Sequence, residues 1–175
     1  MRSVDSDPIV RLQDEWRHEL PDLDTHAMAT VARLNRTRAM VMREIETELV
    51  AAGSSLADFD VLATLRRQGP PYRMKPSTLA RTIMLSASGV TSRIDHLERA
   101  GLVERVHDPT NRRTAPVVLT ERGIAEAERL SRGLVEIEER IMSSLTARQR
   151  QTRDASLATL ATRIESGRSS GSESD

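Results

Sequence analysis

Between Lys75 and Gly123 the hydrophobic period switches from helical to alternating, and that switch restricts the fold more than any other feature of the chain. The stretch reads KPSTLARTIMLSASGVTSRIDHLERAGLVERVHDPTNRRTAPVVLTERG. Ser77 is placed to cap a short helix, STLARTIM, and LSAS makes a tight turn. A second helix is predicted from about Ser86 to Ala100, with Val90, Ile94 and Leu97 as its buried stripe and Gly101 as its stop. LVERVH then alternates as a strand, with Leu102 leading in. DPTNRR is turn chemistry, and TAPVVLT is a returning strand in which Pro116 favours an edge strand or a strand end. Helix, turn, helix and hairpin in that order are the layout of a winged helix-turn-helix.

The flanks read as helices. IVRLQDEWRHEL spaces Ile9, Leu12, Trp16 and Leu20 by one helical turn each, and Pro21 ends it. A long stripe follows through Met28, Val31, Leu34, Met40, Val41, Ile45 and Leu49, with Asp24 or Thr25 as cap and Gly53 as stop. In SLADFDVLATLRRQG, Ser55 caps with Asp58 three residues on, and Phe59, Leu62 and Leu65 share a face before Gly69. PPYRM reads as a connector. After Thr120 the helical period returns through Ile124, Leu130, Leu134, Ile137 and Ile141, and Thr146 caps a last helix. The expected organisation is a loose tail over 1–8, helices over 9–53, the winged unit over 54–122, helices over 123–166 and a disordered tail over 167–175. The fold class is mainly α with a small β-hairpin wing.

Composition removes whole classes of function. The 175 residues contain no cysteine, so disulfides, thiolate nucleophiles and zinc–thiolate sites are excluded. His18, His26, His96 and His107 show no metal-ligand spacing, and neither GxSxG nor a P-loop occurs, so an enzyme is not expected. No metal or cofactor is implied. No apolar run approaches a membrane span and no signal sequence opens the chain, which points to the cytoplasm. The formal net charge is zero, yet Val61–Ile94 carries six basic residues (Arg66, Arg67, Arg73, Lys75, Arg81 and Arg93) and no acid. That is either a solvated face or the footprint of a polyanion.

The second helix of the winged unit favours the polyanion. Away from its apolar stripe it presents Ser88, Gly89, Thr91, Ser92, Asp95 and His96, beside Ser86 at its start and Ser77 on the preceding helix. Small hydroxyls and a glycine make a helix end slim enough for a major groove and supply donors for phosphates and base edges. An ordinary exposed helix would carry Lys and Glu there. Arg112 and Arg113 stand at the hairpin tip, where they can enter a minor groove or clamp phosphates, or form a solvated turn oriented by Asp108.

SGVTSRIDHLERAGLVERVHDPTNRRTAPVVLTERG resembles the signature of the MarR family of bacterial transcription regulators. The resemblance carries the recognition helix, LE..GLVER, the D..NRR wing and LT..G, and with its flanking helices it covers about residues 10–165. It implies a homodimer entwined through the first and last helices, holding two winged units one DNA turn apart on a palindrome. The other reading of those helices is that they close a monomer core.

The leader EWRHELPDLD looks like that of the family's urate-responsive subgroup, with Leu20 where the subgroup often has a basic residue. That resemblance implies effector contacts from a Trp on the first helix, an Asp on the helix before the DNA-binding pair, an Arg in the recognition helix and an Arg just after it. Here these are Trp16, Asp60, Arg93 and Arg105. A planar acidic purine needs a flat apolar partner and cations at its edge, which Trp16 and the two arginines supply. Asp60 would pair with an arginine in the absence of ligand and hold the recognition helix. Against this, Trp16 reads equally as core at a dimer seam, Arg93 as structural, and Arg105 as a phosphate contact or strand salt bridge. A phenolic, antibiotic or other aromatic-acid effector is the alternative, and a protein-interaction module without DNA is a remote one.

Overall fold

The computed structural model describes residues 7–106 and 115–171. Among these residues seven helices and three strands follow one another as α1 (Pro8–Glu19), α2 (His26–Ala51), α3 (Leu56–Arg67), β1 (Arg73–Met74), α4 (Pro76–Thr82), α5 (Ala87–Arg99), β2 (Val103–Arg105), β3 (Val117–Leu119), α6 (Glu121–Met142) and α7 (Ala147–Gly171). The chain divides into two compact units, residues 1–134 and 135–175. Among the described residues no helix is long and apolar enough to cross a membrane.

Helix starts follow local chemistry. Asp7 caps α1 by accepting the Ile9 N–H at 3.1 Å, with Pro8 at the first helical position. Pro8 therefore begins the helix rather than ending the tail, because its missing N–H costs nothing there. Asp7 is held below its usual carboxylate range chiefly by that backbone N–H, with Arg33 at 3.3 Å adding to it. α4 starts in the same way, with Lys75 at the cap and Pro76 first, so Ser77 lies inside the first turn instead of capping it. Ser55 caps α3 by accepting the Asp58 N–H at 3.1 Å. Thr146 and Gln149 form a reciprocal box ahead of α7, Gln149 N–H to Thr146 Oγ1 at 3.3 Å and Thr146 N–H to Gln149 Oε1 at 2.9 Å. α7 runs on to Gly171, past residue 167 where composition predicts disorder.

The first unit is built around one aliphatic core. Leu62 and Leu65 of α3, Leu79 of α4, Val90, Ile94 and Leu97 of α5, Val103 of β2 and Val117 of β3 are almost wholly buried, joined by Ile45 and Leu49 of α2. The wing is a three-stranded antiparallel sheet in the order β1-β3-β2. Val103, Glu104 and Arg105 pair with Leu119, Val118 and Val117, and Arg73 and Met74 add to the far side of β3. PPYRM thus ends in a strand, which two residues are too few to announce by alternation. β3 is central, and Pro116 stands just before it, where no ladder N–H is required.

The sheet meets α6 through a backbone contact. Thr120 Oγ1 donates to Gly101 O at 2.8 Å and accepts the Gly123 N–H at 3.0 Å. A Cβ on Gly123 would lie 1.8 Å from the Leu102 carbonyl oxygen, so this turn of α6 admits no side chain.

Candidate nucleic-acid interface

α5 begins at Ser86, whose Oγ accepts the Gly89 N–H at 3.1 Å and lies 3.2 Å from Ser88 Oγ. A side chain at Gly89 would crowd that cap, since its Cβ would stand 3.1 Å from Ser86 Oγ. Val90, Ile94 and Leu97 fix the inner face, leaving Ser86, Ala87, Ser88, Ser92, Asp95 and His96 exposed, with Gly89 and Thr91 half-buried. Thr91 returns its hydroxyl proton to Ala87 O at 2.9 Å, so Ser88 and Ser92 are better placed to donate outward. The first turn holds no acid, which leaves the positive end of the helix dipole unopposed. Ser77 is exposed on α4.

The six basic residues divide into two groups. Arg66 reaches across to Glu128 of α6 at 2.6 Å and lies 4.9 Å over the Tyr72 ring. That contact holds the Arg66 guanidinium above its ordinary range. Arg93 is paired with Asp58, and Arg67 donates to Thr64 Oγ1 at 3.0 Å. Arg73, Lys75 and Arg81 are exposed and make no ion pair among the described residues. They lie on β1 and α4, ahead of the α5 N-terminus. Arg112 and Arg113 fall outside the described residues.

The carboxylate that holds α5 is Asp58, not Asp60. Asp58 is buried, with Oδ1 at 3.2 Å from Arg93 Nη1, Oδ2 accepting from Ser55 Oγ at 2.6 Å, and His96 Nε2 3.9 Å away. Two residues along a helix is a rotation of about 200°, so Asp58 and Asp60 point away from each other. Asp60 instead shares a face with Arg67, seven residues on. It is half-buried, and loss of water pushes its carboxyl up against the opposing pull of Arg67. The capping role of Asp58 is legible from its spacing to Ser55, and its second role across to α5 carries no local signal.

Arg105 is likewise committed. Its side chain is 9% exposed; Nη2 meets Asp95 at 2.6 Å, Nη1 meets Glu98, and its backbone N–H donates to Glu98 at 3.3 Å. This guanidinium therefore braces β2 against α5, and its Nε is buried without a partner. Trp16, on the last turn of α1, is 36% exposed. Among the described residues no bond joins Trp16, Asp60, Arg93 and Arg105. A surface cavity of about 450 Å³ between Ala100, Leu102, Arg122, Ala125, Glu126 and Arg129 contains none of the four.

Comparison with known proteins agrees with this geometry. The MarR family pattern matches residues 55–115. The chain is similar to the HTH-type transcriptional regulator PecS of Dickeya dadantii (strain 3937), 35% identical over 136 residues, 78% of this chain and 82% of the relative. Among solved structures it is similar to AbsC, a MarR family transcriptional regulator from Streptomyces coelicolor, with TM-score 0.66, 26% identity and coverage of 82% of this chain and 97% of that one. A mutant of MarR from E. coli complexed with operator DNA shares the fold at TM-score 0.62, with 22% identity over 83% of this chain and 96% of that one.

Proposed function

The chain belongs to the MarR family of transcription regulators, and on that footing we propose that it is a homodimeric repressor that binds a palindromic operator and leaves it on binding urate or a related purine. The family is one of DNA-binding regulators, not enzymes; its members bind operator DNA, typically as dimers, and respond to small ligands. The observation that carries the DNA half is the slim, hydroxyl-bearing start of α5 beside three exposed cations, Arg73, Lys75 and Arg81, with no ion pair among the described residues. The hydroxyls reach base edges and phosphates, and the cations neutralise phosphates on either side. Arg112 and Arg113, outside the described residues, keep the role the sequence suggests for them, as further groove or phosphate contacts. The work is done in the cytoplasm, where the operator is.

Release rests on Arg93. An anion that takes the Arg93 guanidinium competes with Asp58 for it, and α5 loses a tie to α3. The ligand then favours a DNA-incompetent arrangement by the difference in its affinity for the two states, typically about 5- to 150-fold. Asp60, half-buried and without an ion pair among the described residues, supplies a carboxyl raised by desolvation that is able to hydrogen-bond a purine. Trp16 supplies an aromatic face.

The test is a gel shift on a duplex selected by the wild-type protein from a random pool, with urate, xanthine, hypoxanthine and salicylate in turn. Release by a purine is expected, with quenching of the lone Trp16. Release by salicylate alone replaces the purine with an aromatic acid. Binding that ignores all four ends the effector reading, and absence of salt-dependent binding ends the DNA reading.

A further inference from the structure

Four helices of the first unit end with a residue in the left-handed region. α2, α3 and α5 end on Gly53 (φ +77°), Gly69 (φ +76°) and Gly101 (φ +69°). α4 ends on Met84, at φ +55°. The α2, α4 and α5 ends share a hydrogen-bond pattern: Ser54 N–H to Leu49 O, Leu85 N–H to Ala80 O and Leu102 N–H to Leu97 O, at 2.8, 3.1 and 3.0 Å. Glycine satisfies this geometry without a Cβ clash, and methionine does not.

Met84 receives nothing from the fold in return. Its side chain is 92% exposed, the most of any large apolar residue described. Tyr72, the other described non-glycine residue with positive φ, is half-buried and has the Arg66 guanidinium over its ring. Where this chain strains a side-chain-bearing residue inside its own packing, the side chain is in use. Met84 lies two residues before the Ser86 cap, and Leu85 beside it is also exposed. The chain thus sets a large apolar tip directly ahead of the helix end that exposes Ser86, Ala87 and Ser88.

We propose that Met84 is a DNA-contacting residue, whose thioether packs on the apolar wall of the major groove, a thymine methyl or a deoxyribose, and helps to select the operator. The proposal rests on the reading of α5 as the recognition helix. An unbranched, polarisable side chain suits an irregular apolar surface, and the thymine methyl is the apolar feature that distinguishes a base pair in that groove. A left-handed residue directs its Cβ away from the path a right-handed turn would take, so the strained backbone at Met84 is what holds the side chain outward.

Met84→Gly separates this role from a structural one. It relieves the backbone, so thermal stability is expected to stay the same or rise, while affinity for the selected duplex falls roughly tenfold through loss of one apolar contact. Met84→Leu keeps an apolar tip and is expected to bind within about twofold of wild type. Replacing thymine by uracil throughout the duplex weakens wild type to the level of Met84→Gly if the contact is a base methyl, and leaves it unchanged if the contact is a sugar. Met84→Gly binding the thymine-containing duplex as tightly as wild type overturns the proposal. Failure of wild type itself to select any duplex would overturn the recognition-helix reading instead.

Discussion

The winged unit and the helices around it are built from the same aliphatic residues and end in opposite states. Leu62, Leu65 and Ile94 are no more than 1% exposed. Val31 and Met40 of α2 stand at 56% and 59%, and Leu160 and Ile164 of α7 at 49% and 60%. The winged unit closes its core within one chain. The middle of α2 presents exposed Val31, Leu34 and Met40, and α7 presents exposed Leu157, Leu160 and Ile164. A single chain rarely keeps so much apolar surface in water, and the second copy proposed above would cover these residues. Trp16 on α1 and Leu20 at its C-cap are exposed and belong with the open set.

The largest test of this contrast is core truncation. Leu62→Ala is expected to cost about 2–5 kcal/mol in urea unfolding and to abolish DNA binding with it. Val31→Ala removes a side chain of the same class from the open set and should leave the fold of one chain unchanged. Comparable losses from both at concentrations where the protein is monomeric would mean that α2 is already packed in the single chain.

The oligomeric state comes next. Val31→Asp together with Leu160→Asp sets two charges in the proposed interface. Light scattering should move from twice the chain mass to once, with helical content kept. The selected duplex should then be bound more weakly by about two orders of magnitude, because a half-site contact replaces a paired one. A wild type that scatters as a monomer would return the flanking helices to the reading in which they close a core of their own.

A polar form of the contrast is smaller. Arg105 is enclosed by Asp95 and Glu98, whereas Arg73, Lys75 and Arg81 face water. Arg105→Ala should cost about 1–3 kcal/mol, because it removes the charged ties from β2 to Asp95 and Glu98 of α5. Lys75→Ala and Arg81→Ala should leave stability within about 0.5 kcal/mol and reduce the salt slope of DNA binding by about one each. Loss of stability from either would show that it supports the fold.

Elements with a long repeat or a strong local cap were legible from the residues. The α5 stripe, its Ser86 cap and its Gly101 stop needed no tertiary information, because each is decided within about one turn. β1 was not legible, because two residues have no period and β3 alone makes them a strand. Nor was the partner of Arg93. A sequence names the carboxylates on α3, but which of Asp58 and Asp60 faces α5 depends on how α3 is rotated against its neighbour. Arg105 shows the same limit, since Asp95 and Glu98 meet it only once β2 has folded back along α5. Elements several residues long are decided locally, whereas a two-residue strand and the ion pairs between elements are settled by packing.

Asp58 and Asp60 bring the contrast down to two carboxyls on one helix, and they yield the smallest effect. Asp58 is enclosed by Ser55, Arg93 and His96. Asp60 is half-buried with no ion pair among the described residues, and burial raises it above its ordinary value of 3.8. A carboxyl raised on folding binds its proton more tightly in the native state. Its contribution to stability therefore falls as pH rises from the unfolded value through the raised native one, and stays unfavourable above that. Asp60→Asn removes the penalty, so Tm at neutral pH should rise by about 2–4 °C. The gap should close as pH falls below the ordinary value of 3.8, where the carboxyl is protonated in folded and unfolded chains alike. Asp58→Asn, which loosens a partnered carboxylate, should lower Tm at neutral pH instead. If Asp60→Asn is destabilising at neutral pH, the Asp60 carboxylate already has a cation holding it, and it is not the uncommitted group that an effector could meet.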